Sequence, residues 1–413
     1  MTTEGLAAPA AIARSRPAWL DTLLGQALAL LASLGIAVLA GAVLILLYGE
    51  NPFDVYSSIL EESVGSIDGI GYVLAIATPL IFSALAVAIP FKAGLFNIGV
   101  EGQYIVAMVV TAWAEVELGF LPGPILVITA LLAAMLGGMA WAAVPGVLKV
   151  TTGAHEVVTT IMMNGIAVSL AGWALNFPLH FDDAPEGAFV DLRSNNFPDQ
   201  GLVGDLGRMF GITPGAHLSW LLLLAIVAAF VVWFLFRRTR LGYEARAVGS
   251  SPGSARAGGA SISAVQLKVF LISGALAGLV GMQQILADRG HLPQNYVVAL
   301  GFTGIAVAFL GQNHPIGIVF AAILWGVLSR GEVALQIGSD VPREFIIILQ
   351  GILILSVVIT YQIARRRLSA RQLQREGTVG ELADAAAPSD RERAREGEDR
   401  ESGAFAPADD RER

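Results

Sequence analysis

The 413-residue chain contains no cysteine, which excludes disulfides, thiolate metal sites and cysteine nucleophiles together. Charge is scarce as well. Only 15% of residues are Asp, Glu, Lys or Arg, against about 25% in a soluble domain. Lysine is nearly missing: Lys92, Lys149 and Lys268 are the only lysines among 26 basic residues. Lys92 is followed by Ala and the other two by Val, so the Gly-Lys-Ser/Thr loop that cradles nucleotide phosphates is absent. The chain hydrolyses no ATP by that route. The stretch His155-Glu156-Val157-Val158-Thr159 comes near the zinc-protease helix His-Glu-x-x-His, but Thr159 stands where the second ligand is needed.

What the chain does have is apolar length. It is 55% hydrophobic with 46 glycines and a mean hydropathy of +0.65. Low charge, abundant glycine and repeated long apolar runs indicate an all-α polytopic membrane protein. Ten transmembrane helices are predicted, at about 20–48, 70–90, 94–113, 124–147, 155–178, 217–236, 265–287, 296–312, 315–332 and 344–363. The 296–332 region reads either as two short spans or as one broken span. Arg14 and Arg16 precede an apolar run too long for the core of a signal peptide, so none is expected.

Charge asymmetry orients the spans. With the N-terminus cytoplasmic, ten spans return the C-terminus to the cytoplasm. The outer segments then hold only Arg193, Arg208, Arg289, Arg330 and Arg343 of the 26 basic residues, while the outer loops are acidic. The domain plan is a cytoplasmic N-terminal segment at 1–19, a membrane domain at 20–365, and a cytoplasmic tail at 366–413. The membrane domain includes an extracellular loop at 179–216 and an inner loop at 237–263. The tail carries both signs of charge and few large apolar residues, so it is expected to be disordered.

Several polar residues interrupt the apolar runs. Asn97, Glu101 and Tyr104 fall on one helical face, with Gln103 beside them, as do Glu156, Thr159, Thr160, Met163 and Asn164. Gln283 and Gln284 sit near the end of the 265–287 run, and Phe302 follows in a glycine-rich stretch that could stack on a planar ligand. An ionisable group within a span is by default a candidate for function. Hydrogen bonding between helices is the competing account, and Glu101 also has Lys92 within reach as an ion-pair partner. Asn97, Glu101, Gln103, Glu156, Thr160, Asn164, Gln283, Gln284 and Phe302 are therefore the candidates for a translocation path or substrate site.

Four segments in fixed order, FKAGLFNIGVEGQ, HEVVTTIMMN, RLGYEARAVGSSPGSARAGG and GFTGIAVAFLGQNHPIG, resemble permease subunits of ABC importers of the branched-chain amino acid and simple-sugar type. The likeness is nearest to the nucleoside-importing subgroup and to the longer of its two paired permeases, and it runs from about residue 20 to 365. It implies the ABC importer permease fold in a prokaryotic plasma membrane, and several partners: a second permease subunit, two ATP-binding subunits or a fused tandem ATPase, an extracellular lipid-anchored solute-binding protein, and membrane lipid. No nucleic acid is expected. No cofactor is implied in this chain, ATP-Mg belonging to the partner ATPase. The family's ATPase-coupling helix matches the 244–259 segment, placing Glu244, Ala245, Arg246, Gly249, Ala255, Arg256 and Gly258 on the pattern.

The expected function is thus a non-enzymatic permease for nucleosides, purine nucleosides foremost. Two alternatives stay open: a permease for a simple sugar such as a pentose, and an ion-coupled secondary transporter with Glu101 or Glu156 as its carrier.

Overall fold

The computed structural model describes residues 18–181, 192–213, 218–338, 344–357 and 359–360. The charged tail, the first residues of the N-terminal segment and parts of the predicted extracellular loop lie outside the described residues. By its internal contacts the chain divides into two units, Met1–Ser33 with Ile359–Arg413, and Leu34–Val358. The described part of the first unit is helical. The packing below is that of the second.

Thirteen α-helices are described: α1 Ala18–Leu47, α2 Pro52–Val64, α3 Ile67–Lys92, α4 Val100–Glu117, α5 Gly123–Thr152, α6 Glu156–Asn176, α7 Leu221–Arg238, α8 Arg240–Ser250, α9 Pro252–Ala257, α10 Ile262–Gly278, α11 Leu300–Leu310, α12 Pro315–Gly338 and α13 Glu344–Val357. A π-helical stretch, Gln283–Arg289, continues α10. No strand occurs among the described residues, only two isolated bridges.

Six helices are long and apolar enough to cross a membrane, or seven if Leu34–Leu47 and Pro52–Val64 form one span bent by 118°. The bend has a local cause. Asn51 accepts a hydrogen bond from the Phe53 N–H and Pro52 occupies the first helical position, a pairing that starts a new helix. Helix α2 thus occupies the acidic segment after the first run, which read as loop. Two predicted spans start late in the structure. Helix α4 begins at Val100, not at 94. At 11 residues, α11 reaches only about 16 Å, half a bilayer, whereas α12 is full length; the 296–332 region is one half-helix and one whole one. The apolar helix α13 is described over Glu344–Val357.

Burial separates centre from rim. In the apolar windows, 78% of α3 and 89% of Ile262–Arg289 are buried, against 28–33% in α5, α6, α7 and α12. The rim helices turn Ile128, Leu132 and Leu136 on α5, Ile161 and Met162 on α6, and Phe230 and Val231 on α7 outward. Apolar faces of that extent fit contact with lipid. The most extensive packing joins α5 to α10, and glycine makes it possible. A Cβ on Gly278 would overlap the Ala134 carbonyl, and one on Gly138 would overlap the Gly274 carbonyl. Backbones meet directly there.

Candidate functional site

The α3–α4 connection reads Ala93 to Gly99 and is not helical, although both flanking helices are buried. Buried irregular backbone needs partners, and the polar residues of this region supply them. Asn97 accepts from the Gly99 N–H through Oδ1 at 2.9 Å and donates from Nδ2 to Gln103 at 3.1 Å and to the Ser273 hydroxyl at 2.9 Å. Ser273 in turn donates to the Ala86 carbonyl. Asn164 reaches across from α6, accepting from the Gly102 N–H at 2.8 Å and donating to the Ile98 carbonyl at 3.0 Å. One network therefore ties α3, α4, α6 and α10 around the unwound turn.

Glu101 completes it from the other side. It is 5% exposed, and its carboxylate accepts from the Ala299 N–H at 2.6 Å and the Gly301 N–H at 2.8 Å. The Tyr104 hydroxyl lies 2.8 Å from the same carboxylate and 2.9 Å from the Val297 carbonyl. An anion sits on the first N–H groups of α11, where the helix dipole favours it. The ion pair with Lys92 is not formed. Sequence separation hid this role: Ala299 and Gly301 are 198 and 200 residues away.

The other predicted residues separate. Glu156 pairs with Lys149 at 2.7 Å. The Thr160 hydroxyl donates to the Glu156 carbonyl one turn back. Phe302 is 48% exposed. Only Gln283 and Gln284 among the candidates line the cavity of about 270 Å³ between α3, the π-helical stretch and the start of α11. Its wall adds Tyr72, Ile76, Pro79 and Leu300, apolar members that no sequence signal marked. Gln283 accepts from the Ser219 hydroxyl at 2.6 Å, while Gln284 accepts from the Val297 N–H at 3.1 Å. The π-helical winding sends these neighbours to different partners. Tyr72 is held from behind by Arg330, whose guanidinium lies 4.2 Å from the ring centroid and pairs with Glu62. The described part of the 179–216 segment runs along the π-helical end, bonded from Ser194 to Leu292 and from Val203 to Leu286.

At the opposite end, the predicted inner loop is two short helices. Thr239 caps α8 through the Gly242 N–H and Ser251 caps α9 through the Ser254 N–H. Of the coupling residues, Arg246, Gly249, Arg256 and Gly258 are exposed, whereas Ala245 and Ala255 are buried. Those two alanines seat the segment on the helices of the membrane domain. Glu244 is engaged by Arg240 at 2.7 Å. Gly249 lies against the end of α3. A Cβ there would overlap the Lys92 carbonyl and stand 3.0 Å from the Gly94 nitrogen.

Among the described residues no group of His, Cys, Asp and Glu could hold a metal ion. Comparison with known proteins gives a consistent picture. The family described as branched-chain amino acid transport system / permease component matches residues 69–358. The chain is 35% identical over 334 residues to the guanosine ABC transporter permease protein NupP of Bacillus subtilis, covering 80% of this chain and 92% of that one. It is 32% identical over 367 residues to the glucose ABC transporter permease protein TsgB13 of Haloferax volcanii, covering 86% and 92%. With the nucleoside ABC transporter permease protein NupB of Lactococcus lactis it shares 30% over 334 residues, covering 78% and 88%.

Proposed function

Because this chain belongs to the permease-component family of branched-chain amino acid transport systems, a family of membrane subunits that are not themselves enzymes, we propose that it conducts nucleosides inward for an ATP-driven importer, purine nucleosides foremost. The observation that carries the solute class is near-full-length similarity to a guanosine permease and a nucleoside permease. The missing phosphate loop supports ATP hydrolysis on partner subunits. In this reading the complex contains a second permease, two ATP-binding subunits or a fused tandem ATPase, and a lipid-anchored solute-binding protein outside the cell. The chain crosses the membrane about ten times with both termini cytoplasmic, the 296–312 crossing being only partly helical. The exposed arginines of α8 and α9 meet the ATPase, and solute passes the cavity beside Gln283 and Gln284.

A sugar is the second reading, favoured by the similarity to a glucose permease. An ion-coupled transporter gains nothing from the structure, since Glu101 is spent on α11 and Glu156 on Lys149. The test is reconstitution of the whole complex in proteoliposomes with ATP and labelled guanosine, adenosine, ribose or glucose. Nucleoside uptake that requires ATP is the expected result. Sugar uptake without nucleoside uptake transfers the assignment to the second reading. Uptake by the permease alone, driven by an ion gradient, overturns the ABC reading.

A further inference from the structure

We propose that the cavity between α3 and the π-helical stretch is where the permease holds its solute, and that Gln284 is the specificity-determining donor, giving a hydrogen bond from Nε2 to a ring-nitrogen or carbonyl acceptor. This rests on the permease reading above and adds a position and a chemistry to it.

Gln284 lines the cavity and is only 7% exposed. Its Oε1 is committed to the Val297 N–H at 3.1 Å, which fixes which way round the amide lies. Nε2 is buried and has no hydrogen-bond partner among the described residues. A buried amide donor left unpaired is costly, and native proteins keep few of them. The Val297 bond accounts for the oxygen alone; the donor beside it is explained by a partner that arrives. Nε2 is sealed at the wall in this conformation, and the bond forms as the wall opens to admit solute.

The rest of the wall sets the solute's shape. Ile76, Pro79, Val280 and Leu300 give it an apolar surface, and Tyr72 an aromatic one, the composition usual for small-molecule sites that orient a ligand with a few polar groups. At about 270 Å³ the cavity falls just under the roughly 300–1,000 Å³ of drug-sized pockets, room for one small solute. A planar heterocycle of nucleoside size, carrying acceptors at its edge, fits this surface, this volume and the Gln284 donor.

The experiment is photolabelling of the assembled complex with 8-azidoguanosine during ATP-driven turnover, followed by peptide mapping of this chain. Gln284→Glu keeps an oxygen for the Val297 N–H but puts a second oxygen where the donor was. Ile76→Trp fills the cavity without touching the amide. We expect label within 69–92 or 280–300, reduced at least about tenfold per assembled complex in both variants. Label elsewhere in the chain, or undiminished label in Ile76→Trp, overturns the proposal. If Gln284→Glu does not assemble, Ile76→Trp decides the cavity, and Gln284→His, which retains a ring N–H, must keep more label than Gln284→Met for the donor role to stand. A wild-type complex that imports glucose and no nucleoside refutes the solute reading alone; the cavity is then judged by an azido-glucose probe on the same variants.

Discussion

Glu101 and Gly301, 200 residues apart in the chain, are joined by a 2.8 Å hydrogen bond from the Gly301 amide to the carboxylate. The carboxylate that looked costly inside an apolar run is the N-terminal cap of a half-length helix. It serves the backbone of α11, as Asn97 and Asn164 serve the backbone leading into α4.

That arrangement separates two substitutions. Glu101→Ala leaves the Ala299 and Gly301 amides without an acceptor, and a buried group left unpaired costs about 1–3 kcal/mol. Glu101→Gln keeps one oxygen but turns an amide NH₂ toward an N–H and removes the charge from the helix terminus. Both variants should lower the melting temperature of the assembled complex, Ala more than Gln. A Gln variant as stable as wild type would show that the charge contributes nothing there.

Gly249→Val should detach α8 from α3. Its added carbons meet the Lys92 carbonyl and the Gly94 nitrogen, backbone atoms that have no rotamer to give way, and overpacking of this kind costs roughly 1–3 kcal/mol. Gly258→Ala is the control, since its nearest atoms would stand at 3.5 Å. The measurement is solute-stimulated ATP hydrolysis by the assembled complex, reduced in the first variant and retained in the second.

The outward and inward sides of α8 should fail differently. Arg246→Glu and Arg256→Glu reverse exposed charges and should uncouple ATP hydrolysis from transport while leaving membrane insertion intact. Ala245→Leu overfills a fully buried position and should reduce the yield of folded chain instead. Co-purification with the ATPase, set beside the yield of the chain alone, distinguishes the two. Equal behaviour of all three variants would refute the division of faces.

Burial lowers the affinity of His291 for a proton, and the Arg193 and Arg289 guanidiniums lower it further. The folded state therefore binds fewer protons here than the unfolded chain, and stability at this site is present above the ordinary histidine range, near 6.5. It is lost as pH falls through that range toward the depressed value. Melting temperature should decline on acidification from pH 7.5 to 5.5, and His291→Asn should flatten that slope. A steeper slope in the variant would reverse the sign.

Much of the helix plan was readable because hydropathy reports transfer into an apolar medium, and a run such as Leu221–Arg238 satisfies that test alone. The breaks were not readable for the same reason. FNIG is as apolar as a helix would be, and only the positions of Asn97 and Asn164 relative to distant backbone reveal that the helix stops there. Periodicity placed Glu101 and Tyr104 on one face, where the structure puts them together, but a face does not say what lies opposite it. Small residues in the 244–259 segment looked alike in sequence. Which of them face inward depends on the seat that α3 and α10 provide. Gln284 was legible as an anomaly; its unpaired nitrogen was not.

Helix α3 touches both ends of the proposed machinery. Ile76 and Pro79 form part of the cavity wall, and about 24 Å further along the axis the Lys92 carbonyl bears on Gly249 of α8. Nothing compressible lies between those backbones. Pro79, inside the helix, removes one rung of its hydrogen-bond ladder and supplies a fulcrum beside the cavity. Pro90, two residues before Lys92, is a second break in the same ladder, at the end that α8 touches. In the proposed machinery, α3 is the one helix through which a shift of α8 is delivered to the cavity wall.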